Sequence, residues 1–137
     1  MSKFADLYNI RDGKKEDTNF ILSTFLRGLY YGDSWFSLMP KDVFMQHYKR
    51  IAEALVNKSN IKVACLLDDP DTIIGYSILS QDYQSVHWVY VKKNWRLNGI
   101  AKSLLPRHPT TVSHLTTVGK QLLPKINNPI FNPFKLT

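Results

Sequence analysis

The run Val89-Tyr90-Val91-Lys92-Lys93-Asn94-Trp95-Arg96-Leu97-Asn98-Gly99-Ile100-Ala101-Lys102-Ser103-Leu104-Leu105 changes its periodicity partway along. It begins as a strand of alternating large side chains, turns polar from Lys92, passes a glycine and resumes as an apolar-periodic helix that Pro106 cuts short. A helix that starts straight after a strand points its unpaired N–H groups and the positive end of its dipole outward. Such an end suits phosphate, and Gly99 would let a phosphate approach the backbone closely. Ala101 keeps the first turn small, and Lys92, Lys93, Arg96 and Lys102 add positive charge around the same point.

Strands and helices alternate on both sides of this run. Phe4 to Arg11 reads as a first strand ahead of the Asp12-Gly13 turn. Asp17 or Thr18 caps a helix with Ile21, Phe25 and Leu29 at every fourth position, weakened at Gly28 and ended at Gly32. A second helix starts near Pro40, carries Phe44, Tyr48, Ile51 and Leu55 on one face, and stops around Asn57 to Asn60. Ile61 to Leu67 and Ile73 to Ser80 form a hairpin across Asp68-Asp69-Pro70-Asp71. Val86 to Lys92 is the strongest strand, with His87, Val89 and Val91 on one face. Thr110 to Thr117 reads as a strand, Val118 to Lys125 as a short helix, and Ile130 to Phe134 as an edge segment. The order β-α-α-β-β-β-α-β-α-β predicts a single α/β domain over 1–137 with a mixed sheet.

Composition bounds the partners. The chain has 137 residues, of which 44% are hydrophobic, so an ordinary buried core is available. No apolar run is long enough to span a bilayer, and Met1 to Asp17 lacks the apolar core of a signal peptide. The single Cys65 excludes an internal disulfide framework and a cysteine-rich zinc site. The expectation is a cytoplasmic domain that binds no metal and no membrane. Net charge is +7, unevenly spread: residues 1–82 carry 10 basic and 11 acidic side chains, residues 83–137 carry 8 basic ones and no acid. A one-signed half fits a polyanionic neighbour such as a nucleotide cofactor, nucleic acid or an acidic protein, or simply a solvated basic surface. Any carboxylate base must come from the first 82 residues.

The strand-turn-helix run resembles the acetyl-CoA-binding motif of the GNAT acyltransferases, in which Gln or Arg is followed by two residues, Gly, one residue, and Gly or Ala. Arg96, Gly99 and Ala101 fill that pattern, with Val91 at the strand end before it. Two N-terminal helices, an Asp-Pro hairpin ending in Ile74-Gly75-Tyr76, and a strand leading into the motif follow the family's order over residues 4 to 126. The resemblance implies a GNAT-like mixed, mostly antiparallel sheet flanked by about four helices. It also implies an acetyl-CoA-dependent N-acyltransferase acting by direct attack of an amine. Backbone groups of Val89, Tyr90 and Val91 would bond the pantetheine arm, and N–H groups from Leu97, Asn98, Gly99, Ile100, Ala101 and Lys102 would hold the pyrophosphate. A strand N–H, that of Val91, would stabilise the oxyanion. The acceptor, a small-molecule or protein amine, would enter near Tyr30, Tyr31, Asp33 and Trp35. So small a chain fits a stripped-down member such as phages encode, working in the host cytoplasm as a monomer or homodimer.

The sequence departs from the family at its acid–base residues. Ser85 stands where many members place a glutamate base, and no tyrosine follows Tyr90 to protonate the leaving thiolate. His114 is then the first choice for an acid or base, with Ser85 or Tyr83 positioning a water. His87, on the face of Val89 and Val91, reads instead as a strand histidine bonded to a neighbour. The aromatic run from Tyr30 to Phe36 fits an acceptor-binding lid or a cap over the core. Two further readings stand beside the enzyme: an inactive GNAT-fold module that binds CoA or a protein, motivated by the missing residues, and a nucleic-acid-binding domain, motivated by the basic half. The latter lacks a recognition-helix or aromatic-basic sheet signature.

Overall fold

The computed structural model describes residues 7–96 and 98–136. Among the described residues six strands form one sheet in chain order: β1 (Tyr8–Asp12), β2 (Asn60–Leu66), β3 (Ile73–Leu79), β4 (Ser85–Val91), β5 (Thr111–Val112) and β6 (Ile130–Phe131). The first three pairings are antiparallel and the last two parallel, so the sheet is mixed and mostly antiparallel as expected. Helices α1 (Thr18–Gly32) and α2 (Lys41–Lys58) connect β1 to β2, and the one-turn α3 (Ile100–Leu104) follows β4.

Amphipathic patterning explains the layers. Phe25, Leu29, Phe44 and Leu55 of α1 and α2 bury against Val63, Tyr76 and Ile78, with Trp88 and Tyr90 packed alongside. On the opposite face Ile100 and Leu104 of α3 bury against Ala64, Ile74 and Val91. Ile51, expected on the buried face of α2, is 42% exposed; Ala52 and Val56 are buried there instead. Gly28 lies in α1 without ending it, because an added Cβ would stand 2.8 Å from Trp88 Cζ2, and this close approach of helix to strand needs a glycine.

The second half departs from its sequence pattern. The strand expected over Thr110 to Thr117 has only two residues in the sheet. Thr110 and Thr111 donate to the Gln84 carbonyl and Ser113 to the Val86 carbonyl, after which the chain bends away and His114 packs edge-on against Phe25 and Tyr48. The segment after Val118 is a 3-10 helix (Gly119–Ile126) with Pro124 inside, a residue that has no N–H for a longer ladder. The edge strand ends at Phe131, and Pro133 cannot extend the pairing. The start of the first expected strand, residues 4–6, lies outside the described residues. Among the described residues no helix is long and apolar enough to cross a membrane, and no group of three or more His, Cys, Asp or Glu is placed to hold a metal ion.

Candidate functional site

Strand β4 pairs with β5 at only two rungs, Ser85 with Thr111 and Val86 with Val112. Past Val86 the two strands part. On its other side β4 stays bonded to β3 throughout, and Lys92 N donates to Ile74 O at 2.8 Å. Hydrogen-bonding direction alternates along a strand, so Trp88 and Tyr90 face β3 with their backbone groups while Val89 and Val91 face the opening. Register slips between Ile78 and Leu79, which pair with Trp88 and Val86, leaving His87 as the extra residue of a bulge. The bulge breaks simple alternation at His87, which was expected to share a face with Val89 and Val91.

The opening is the mouth of a cavity of about 1080 Å³. That exceeds the roughly 300–1,000 Å³ usual for small-molecule sites and suits a long ligand. Strand β4 from Val86 to Val91 forms one wall, α1 contributes Thr24, Arg27, Gly28 and Tyr31, and the chain after β5 contributes His114 to Thr116. Arg96, Gly99, Ile100, Ala101 and Lys102 line it too, with Lys125. Among the described residues that line it there is no carboxylate, and the acid-free second half supplies three of its cations.

The loop into α3 is built to be approached. Gly99 has φ +80°, a conformation L side chains adopt at a cost, and an added Cβ would meet nothing within 4 Å. Ser103 N donates to Gly99 O, so the N–H groups of Ile100, Ala101 and Lys102 have no acceptor inside the helix. Arg96 Nε donates to Val91 O at 2.8 Å, which pins this loop to the end of β4 and leaves Val89 and the Val91 N–H as the backbone groups that face the cavity. Leu97 lies outside the described residues, and Asn98 lies beside the loop with its side chain donating to Arg96 O at 2.8 Å.

This architecture matches solved structures of one fold. An acetyltransferase candidate from Pyrococcus furiosus superposes with a TM-score of 0.54 at 20% identity, over 71% of this chain and 68% of that one. A possible acetyltransferase from Clostridium difficile gives 0.50 at 19%, over 72% and 66%, and a GCN5-related N-acetyltransferase from Rhodopseudomonas palustris 0.50 at 14%, over 72% and 61%. The chain has the GNAT fold. It spans about two thirds of the length of these neighbours. No protein-family model and no curated protein matches the sequence.

The GNAT fold sorts the expected acid–base and acceptor residues by position. His114 lines the cavity; Ser85 is fully buried outside its lining, with its Oγ unpartnered. Tyr83 sits in the β3–β4 turn with φ 61° and Lys62 Nζ 5.9 Å from its ring centre, also outside the lining. Of the acceptor set, Tyr31 reaches the cavity. Tyr30 is buried with its hydroxyl donating to Met39 O, Asp33 accepts from Trp35 N at 2.8 Å to hold its turn, and Trp35 is 66% exposed.

The histidines carry the unforeseen geometry. His87 Nδ1 lies 2.7 Å from Ser113 Oγ, which lies 2.8 Å from His114 Nδ1, and Tyr48 OH bonds His114 Nε2. His87 is 1% exposed and lines the cavity, and its Nε2 has no partner. Burial, reinforced by the charge of Lys58, lowers the His87 pKa to about 4; burial, with His87 beside it, lowers that of His114 to about 4. Burial and the charge of Asp33 raise Tyr48 to about 12. Tyr48 and Ser113 carry no sequence signal for this role, since one reads as helix core and the other as a strand residue.

Proposed function

We propose that the protein is an acetyl-CoA-dependent N-acyltransferase that passes an acetyl group to an amine. The carrying observation is the parting of β4 from β5 after two rungs, which leaves Val89 and the Val91 N–H facing a cavity with the Gly99 loop in its wall. A pantetheine arm would complete the sheet there as an added strand. Gly99, Ile100, Ala101 and Lys102 would hold the pyrophosphate through backbone N–H groups, with Lys102 and Lys125 supplying positive charge. Acetyl-CoA supplies an activated thioester carbonyl; the chain supplies the bulged β4 backbone to orient it and the apolar walls of Trp88, Val89 and Leu115 to exclude water.

Calorimetry with acetyl-CoA, followed by a thiol-release assay over a panel of amines, tests this reading. Micromolar binding with thiol release supports it, and no binding overturns it. The lack of a carboxylate among the described lining residues favours a second reading, a CoA-binding module without turnover, for which binding without thiol release is the signature.

A further inference from the structure

Among the described residues, two that line the cavity, Trp88 and His87, each hold a buried ring nitrogen with no hydrogen-bond partner, and only one of the two nitrogens can accept a proton. His87 Nε2 is that atom, in a side chain 1% exposed, on the bulge of β4. A buried polar group without a partner costs stability, and such an exception in a residue that lines a cavity points to a ligand group. The other ring nitrogen enters a chain, His87 Nδ1 to Ser113 Oγ to His114 Nδ1, then His114 Nε2 to the Tyr48 hydroxyl.

Every member of this chain both gives and takes a proton, so two orientations are self-consistent. In one, the Tyr48 hydroxyl donates to His114 Nε2, His114 Nδ1–H donates to Ser113 Oγ, Ser113 donates to His87 Nδ1, and His87 Nε2 carries a hydrogen. In the other every bond is reversed, and His87 Nε2 carries a lone pair.

We propose that His87 Nε2 takes the proton released by the acceptor amine and that Ser113, His114 and Tyr48 pass it on to solvent. The proposal rests on the acyltransferase reading above. The amine nitrogen forms its bond to the acetyl carbonyl carbon and gives one N–H proton to His87 Nε2. His87 gives its Nδ1 proton to Ser113 Oγ, Ser113 gives its own to His114 Nδ1, and His114 gives its Nε2 proton to the Tyr48 oxygen. Tyr48 releases its former hydroxyl proton to water. The C–S bond breaks, and the thiolate collects a proton from solvent, so the exchange balances. His87 is the catalytic residue, and the other three are positioning residues. Because each link hands on a proton as it receives one, no imidazolium has to persist in the wall. That matters beside Lys58 at the end of α2, whose charge opposes a cation on His87.

The reading also narrows the acceptor. A relay built of neutral imidazoles serves an amine that arrives uncharged, and the described lining residues include no carboxylate to pair with an ammonium or a polycation.

Nitrogen-15 NMR of the labelled protein tests the chain without any substrate. Tyr48→Phe removes the far hydroxyl and is expected to change the Nδ1–H to Nε2–H ratio at His87, three hydrogen bonds away; an unchanged ratio overturns the relay. In turnover, His87→Gln is expected to lower kcat roughly a hundredfold, the low end of the general acid–base range, with acetyl-CoA affinity and melting temperature close to wild type. Ser113→Ala is expected to lower kcat by about tenfold and Ser113→Thr to restore most of it, since only the hydroxyl is shared. Unchanged kcat in His87→Gln, with acetyl-CoA still bound, overturns this proposal alone. Loss of acetyl-CoA binding by the wild type overturns the acyltransferase reading and this proposal with it.

Discussion

Replacing Gly99 separates the fold from the ligand site. The residue has φ +80°, and its Cβ position is open for 4 Å around. An alanine there meets no atom, so its cost is the left-handed backbone alone, about 1 kcal/mol. For a chain of this size that is about a 4 °C drop in melting temperature. Gly99→Glu costs the same in stability but places a carboxylate in the wall proposed for the pyrophosphate. Two like charges roughly 4 Å apart near a protein surface repel by about 4 kcal/mol, roughly a thousandfold in affinity. Calorimetry with acetyl-CoA on wild type, Gly99→Ala and Gly99→Glu, beside thermal unfolding of each, reads both quantities. The expected series is matched melting temperatures for the two variants, modest weakening in alanine and loss of measurable binding in glutamate. A folded Gly99→Glu variant with wild-type affinity would refute the assignment of this loop to the phosphates.

Two more predictions bear on the fold and the histidines. Gly75 faces β4 so closely that a Cβ would lie 2.7 Å from Tyr90 O, a backbone atom that cannot step aside, so Gly75→Ala is expected to cost about 1–3 kcal/mol in urea unfolding. An unchanged midpoint would contradict the β3–β4 register. His114 is held neutral with a pKa near 4, below the ordinary 6.5 that it regains on unfolding, so the unfolded chain binds a proton that the folded chain refuses. Its contribution is complete above pH 6.5 and is lost as pH falls toward 4, by roughly 3 kcal/mol at most. His114→Gln is therefore expected to unfold with a flatter pH dependence than wild type between pH 6.5 and 4, and equal slopes would show that the imidazole is not buried as described.

The legible parts of the molecule were those in which one segment carries its own pattern. Helices α1 and α2, the β2–β3 hairpin and the β4-to-α3 run are all legible in periodicity and turn residues, and the resemblance carried by Arg96, Gly99 and Ala101 implies the fold that the solved structures share. Thr110 to Thr117 reads as a longer strand because β-branched residues suit a strand wherever a neighbour exists, but β5 parts from β4 once Ser113 has bonded Val86. The same parting of strands opens the cavity, so the feature that frustrated the sequence pattern is the one that makes the site. His87 read as a bonded strand histidine, and on one side it is; a bulge, invisible in the pattern of β4, sets it in the cavity wall with its second nitrogen unpartnered. The resemblance implies an acceptor near Tyr30, Asp33 and Trp35; in the structure the Tyr30 hydroxyl bonds Met39 O, Asp33 holds the turn at Trp35 N, and Trp35 is exposed.

Amide NMR during titration with acetyl-CoA tests the central claim most directly. If the pantetheine arm adds itself to the open edge of β4, the amides of Val89 and Val91 shift and gain protection from exchange. Those of Trp88 and Tyr90, which face β3, change little, and Gly99 to Lys102 respond at the same ligand concentrations. Saturating acetyl-CoA that leaves Val89 and Val91 unmoved, or shifts only exposed lysines, would contradict the account.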